Sequence, residues 1–297
     1  MKPLSKAGII ACSNGLPLTS EEQIKDLSDI LMKMGVVPVL SSCIFENRDG
    51  YSSGAKERAD ALMEFYRQDG IDAVFDVSGG DLANGILEYL DYELIRKNPK
   101  PFFGYSDLTA VLNGIYTKTG CKTYLYQIRN MYAVSTLNAG AEAAAEQQRK
   151  FSETLIQGGS SLYRFSYRFC QQHEMKGIAV GGNIRCLLKL AGTPYFPDIQ
   201  NKILFLESRS GDRARLETFL YQLKQMGVFQ RAAGVLLGTF SELERTREYG
   251  IEDMMLEVAD NPALPVAKTE EIGHGKNSKC LVIGKEYDFR EIKNEIL

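Results

Sequence analysis

Apolar residues in the first part of the chain follow two rhythms that take turns. Short continuous runs occupy residues 7–11 (AGIIA), 36–40, 71–77 and 101–105, the length of buried strands. Between them lie segments whose apolar positions recur at helical spacing. These are 20–34, with Ile24, Leu27, Ile30, Leu31 and Met34 on one side and Ser20 placed to cap its start, then 55–68, 83–97 and 107–119. Gly35 and the Asn98-Pro99 break close two of them. This alternation predicts an α/β fold: a mostly parallel sheet, helices on both faces, and ligands bound at the carboxyl ends of the strands.

Beyond residue 130 the rhythm weakens until about residue 174. An alanine-rich, acidic stretch over 139–146 predicts a helix, and Gly158-Gly159-Ser160-Ser161 a loop. Regular patterning resumes with strands expected at 177–182, 202–207 and 233–237 and helices at 184–190, 215–226 and 252–259. Short strands follow around Val266 and over 281–283. The change in pattern divides the chain into a first domain over 1–135, a connection over 136–175 and a second domain over 176–297.

With 297 residues, 44% hydrophobic and 25% charged, the chain has the profile of a globular protein large enough for two domains. A net charge of −3 argues against nucleic acid as the main partner. No apolar run reaches membrane-spanning length, and the apolar start is followed by no cleavable signal pattern, which points to a cytoplasmic protein without a membrane partner. None of the six cysteines forms a CxxC pair, so free thiols are expected. Two histidines and no paired Cys/His motif make no zinc site, and they leave a histidine-dependent catalyst only His173 or His274.

Four segments carry candidate chemistry. In Gly104-Tyr105-Ser106-Asp107 an apolar strand meets a helix at a serine. A tight turn there lifts the hydroxyl clear of the sheet and aims the first free N–H groups of the helix at a carbonyl under attack. Taken alone, that segment reads more readily as a plain helix with Ser106 as its cap. Ser78-Gly79-Gly80-Asp81 ends another strand, and its backbone, at Gly80 or Asp81, is placed to supply a second donor, although a loop needing positive φ reads the same. Glu207 ends the ILFLE strand, as an orienting acid does and as a solvated charge also does. His274 stands between two glycines in Ile272-Gly273-His274-Gly275, on exposed, close-turning backbone, whereas His173 lies in a polar stretch. Together the four supply nucleophile, base, orienter and oxyanion donors for acyl transfer.

On these segments the chain resembles the LD-carboxypeptidases, a serine peptidase family that includes murein-recycling enzymes and microcin C self-immunity peptidases. GYSD with the following TAVLNGIYTKTG, the stretch 181–207 and IGHGKN over 272–277 carry the resemblance. It implies an N-terminal α/β domain like that of class I glutamine amidotransferases, a smaller swivelling C-terminal β/α domain, and an active site between them. It implies Ser106 as nucleophile, Glu207 as orienter, His274 as base, and the N–H groups of Gly80 and Asp107 as oxyanion donors. No metal or organic cofactor is called for, and a homodimer is expected.

The expected substrate is a small peptide or peptide conjugate with a free carboxylate or acidic end, either a murein tetrapeptide or a peptidyl-nucleotide. Ser78-Gly79-Gly80-Asp81-Leu82 departs from the Arg-Gly-Gly-Tyr-Gly turn of murein-recycling members and is closer to the microcin-immunity branch. Gln127-Ile128 replaces a frequent Gly-Pro. A non-catalytic binding protein on the same scaffold is one rival reading. A cysteine-dependent glutamine amidotransferase is the other, although Cys121 follows Gly120 beyond the helix rather than opening it.

Overall fold

The computed structural model describes residues 2–47, 50–132, 140–246, 250–275 and 277–291. Its first sheet contains β1 (Lys6–Ile10), β2 (Val37–Leu40), β3 (Ala73–Asp76), β4 (Phe102–Gly104) and β5 (Thr123–Leu125), all parallel. Helices α1 (Glu21–Lys33), α2 (Ala55–Arg67), α3 (Tyr92–Lys97) and α4 (Thr109–Thr119) connect these strands. The central strands read as unbroken apolar runs because both faces are covered. One face packs on Ile24, Leu27 and Leu31 of α1 and on Phe151 of α5 (Ala141–Phe151). The other packs on Leu62 and Phe65 of α2, Ile95 of α3 and Val111 and Ile115 of α4.

The second sheet has the order β12-β7-β8-β9-β10-β6. Its strands are β6 (Arg168–Gln171), β7 (Glu174–Asn183), β8 (Lys202–Ser208), β9 (Gly234–Phe240), β10 (Val266–Lys268) and β12 (Glu286–Arg290). β7 to β10 run parallel, and β12 and β6 close the two edges antiparallel. The connecting helices are α6 (Ile184–Leu188), α7 (Arg213–Gln225), α8 (Val228–Arg231), α9 (Leu243–Thr246) and α10 (Ile251–Ala259). One face buries Leu216, Leu220, Met254 and Val258. The other carries Ala179 and Phe205, which belong to the same buried cluster as α4, so one apolar core runs between the two sheets. Asn113 of α4 fastens that junction: its Nδ2 donates to Gly181 O at 2.9 Å, and its Oδ1 accepts Gly181 N–H at 2.8 Å.

Several expected elements take a different form. The helix expected over 83–97 is two, a 3₁₀ stretch Ala83–Tyr89 and α3. Leu90 is extended, and the Asp91 carboxylate accepts Leu94 N–H at 2.9 Å, so a new cap starts a new helix mid-segment. Ser20 does stand at the cap position of α1, but its hydroxyl makes no cap bond, because a 3₁₀ turn (Leu18–Ser20) leads straight into the helix. The segment expected as a connection packs on the first sheet, with Phe151, Leu155 and Leu162 buried. Ala139, where a helix was expected to begin, lies outside the described residues. β11 (Leu281–Ile283) follows β10 in sequence yet leaves the second sheet and pairs antiparallel with β5 of the first.

Candidate functional site

The carboxyl ends of β3, β4, β7, β8 and β9 supply the site. At the end of β4 the chain turns through Ser106, whose φ is +55°, a left-handed conformation uncommon outside glycine. Ser106 opens a short 3₁₀ turn, Ser106–Leu108, that runs into α4. No side-chain cap bond forms at either start, so the cap reading of this serine has no support in the geometry. A strained serine between strand and helix is the arrangement that exposes a hydroxyl and leaves the next N–H without an intrahelical partner.

The glycine turn lies one strand away. Gly80 has φ +121°, and a Cβ there would fall 2.2 Å from Asn14 Oδ1, so glycine alone fits. Asn14 Oδ1 accepts the Asp81 N–H at 2.8 Å, which removes Asp81 as an alternative donor. Among the described residues, no side chain takes the N–H of Gly80 or of Asp107. Beneath the turn, the buried Asp76 carboxylate accepts Ser78 Oγ at 2.5 Å, Cys12 N–H at 2.6 Å and Ser78 N–H at 2.7 Å. Burial pushes its pKa up to about 6 against the opposing pull of these bonds.

In the second domain, Glu207 lies at the end of β8, fully buried. Its Oε2 is 2.6 Å from His274 Nδ1, and its Oε1 accepts Asn183 Nδ2 at 3.1 Å. A carboxylate oxygen that accepts here requires the imidazole proton on Nδ1. His274 Nε2 is then the acceptor; it is buried, with no hydrogen-bond partner among the described residues. The histidine ring packs edge-on against Tyr105, the residue before Ser106, with centroids 4.9 Å apart and planes at 68°. Burial, with Glu207 nearby, pushes the Tyr105 phenol up, so it stays neutral beside the acid.

A β-bulge sets this pair. Register between β8 and β9 shifts across Glu207: Leu206 faces Leu237, but Ser208 faces Phe240. The extra residue on β9 brings Thr239 to the histidine loop, where its Oγ1 accepts His274 N–H at 3.2 Å and its N–H donates to Ile272 O at 3.0 Å. A Cβ on Gly273 would fall 1.7 Å from Thr239 Oγ1.

The structure thus gathers Ser106, Asp107, Gly80, Glu207 and His274 about the junction of the two sheets. It keeps His173 and Cys121 away. His173 is solvent-facing in the turn between β6 and β7, with Nδ1 2.5 Å from Glu291 Oε2. Cys121 lies past the C-terminal end of α4, opposite the end that carries Ser106. Three contributors escaped the sequence reading. Asn183 carries a local signal, a glycine pair followed by a helix-capping asparagine; Asn14 and Thr239 carry none. Among the described residues, no group of three or more histidines, cysteines or acids could hold a metal, and no helix is long and apolar enough to cross a membrane.

Residues 7–126 match the profile of the LD-carboxypeptidase N-terminal domain and residues 176–289 that of the C-terminal domain. The microcin C7 self-immunity protein MccF of Escherichia coli is 27% identical over 93% of this chain and 88% of its own. A probable murein peptide carboxypeptidase of Bacillus subtilis is 29% identical over 80% of this chain and 75% of its own. The fold matches MccF in complex with glutamyl sulfamoyl guanosine with a TM-score of 0.85 at 23% identity, covering 98% of this chain and 97% of that one.

Proposed function

The chain belongs to the LD-carboxypeptidase family, and from that premise we propose that it cleaves an amide bond in a small, acidic peptide or peptidyl-nucleotide, with Ser106 as nucleophile. The observation that carries this reading is the buried Glu207–His274 pair packed against the strained turn that bears Ser106.

His274 Nε2 takes the hydroxyl proton as Ser106 Oγ attacks the scissile carbonyl carbon. The oxyanion is met by the N–H groups of Gly80 and Asp107, one from the glycine turn and one from the free helix end. The C–N bond then breaks, and His274 returns the proton to the leaving amine. Water repeats the sequence in reverse on the acyl-enzyme. Glu207 accepts the Nδ1 proton throughout and offsets the charge of the imidazolium, and Asn183 holds its second oxygen.

Two probes test the substrate, with products read by mass spectrometry: a murein LD-tetrapeptide and an acidic aminoacyl sulfamoyl nucleoside such as the one held by MccF. The Ser78–Leu82 turn borders the cleft and favours the nucleoside conjugate, so release of its free amino acid is the expected product. Neither probe cleaved would sink the reading. The family resemblance extends it to a cytoplasmic homodimer, whose mass light scattering measures.

Two variants probe the scaffold. Gly273→Ala forces the histidine loop off Thr239 and should cost about 100-fold in kcat/KM, the scale of a misplacement of about 1 Å. Unchanged kinetics in that variant would separate the loop from catalysis. Cys121→Ser should hydrolyse as the parent does; a selective loss of chemistry in the folded variant would favour the cysteine amidotransferase reading.

A further inference from the structure

The residue after the nucleophile has an unusual environment. The Asp107 side chain is fully buried, and each oxygen is engaged by a different part of the molecule. Oδ2 accepts Ser13 Oγ at 2.6 Å and Ala83 N–H at 2.8 Å, which binds the turn carrying Ser106 to the segment just after the glycine turn. Oδ1 accepts Lys189 Nζ at 2.5 Å, from the second domain. The same ammonium donates to Asp81 O at 2.9 Å. One cation therefore holds both backbone stretches that carry the proposed oxyanion donors.

Lys189 follows directly on α6, and Arg185 on that helix reaches the same turn, donating to Gly80 O at 2.9 Å and pairing with the Asp81 carboxylate. Asn183, the cap of α6, donates to Glu207 and through its N–H to Thr109 Oγ1 at 2.9 Å. Within seven positions, 183 to 189, the chain touches the proposed orienter, the nucleophile turn and the glycine turn.

We infer that Lys189 is a positioning residue, an ionic latch from the second domain that fixes the spacing of the Gly80 and Asp107 N–H donors. The inference rests on the reading of Ser106 as nucleophile. The chemistry of the latch suits the task. A fully buried carboxylate is stabilised by a charge partner, and a lysine with three donors satisfies two oxygens on separate segments at once. Oxyanion stabilisation depends on where donors stand before reaction, so a small spread between the segments weakens it steeply.

The test compares Lys189→Met with the double variant Lys189→Met/Asp107→Asn, on whichever probe the parent cleaves. The double variant keeps the Asp107 backbone N–H but buries no unpaired charge. The expected result is a kcat about 100-fold below the parent in both, with KM changed by less than about threefold, while the double variant regains the thermal midpoint lost in the single one. Lys189→Arg, which keeps a donor at the latch, should recover part of kcat. A kcat near the parent's in the double variant would reduce Lys189 to a charge partner and overturn the latch, even if the single variant fails to fold. Ser106→Ala measured alongside separates the two ideas, since its activity tests the nucleophile alone.

Discussion

Ser106→Ala should keep its fold and lose turnover by about four to six orders of magnitude, the loss typical of a nucleophile that works as one unit with its base. The side chain is partly exposed and makes no cap bond, so its removal takes no structural contact away from α4. Relief of the left-handed strain is not expected, because alanine meets the same φ of +55°. A circular-dichroism spectrum and thermal midpoint like those of the parent, with no product by mass spectrometry, are the expected pair of observations. Activity within about tenfold of the parent would remove Ser106 from the chemistry.

The second large effect separates the two histidines. His274→Ala should abolish acylation, while His173→Ala, altering only a solvent-facing pair with Glu291, should leave kcat/KM where it is. Glu207→Gln should cost about four orders of magnitude despite its unchanged shape, as an acid-to-amide change does in comparable triads. An amide oxygen can accept the Nδ1 proton, but it carries no charge to offset an imidazolium, and its NH2 competes for the wrong tautomer. kcat/KM for the three variants on one working substrate decides the matter. A fully active Glu207→Gln, or a dead His173→Ala beside a live His274→Ala, would show the triad to be wrongly placed.

Much of this site was legible in the sequence because its chemistry sits at strand ends, where local signals are strong. A serine after an apolar run and a histidine between glycines each announce a turn with a side chain to present. Burial of Glu207 was legible only through the apolar run before it. β6 and β12 escaped because they are antiparallel edge strands, and the exposed-buried alternation of Glu286–Arg290 spans too few residues to stand out. The break at Asp91 was masked by helix-spaced apolar residues on both sides of it. Lys189 and Arg185 were out of reach for a different reason: their partners stand 82 and 104 positions earlier, and nothing local in a lysine three positions before a glycine-threonine pair marks an ionic contact. The bulge opposite Glu207 likewise depends on the pairing of two strands, not on either alone.

The course of β11 bears on how the protein is made. A ribosome releases β1 to β5 first, and β5 then presents an unpaired hydrogen-bonding edge, a template for association with other chains. That edge is covered only when Leu281–Ile283 emerges, after almost the whole second sheet has been synthesised. His274 arrives in the same stretch, just upstream of β11. During biosynthesis, closure of the first sheet and delivery of the histidine to the cleft therefore coincide, so on the proposed mechanism a nascent chain that already carries Ser106 stays inert until its first domain is finished.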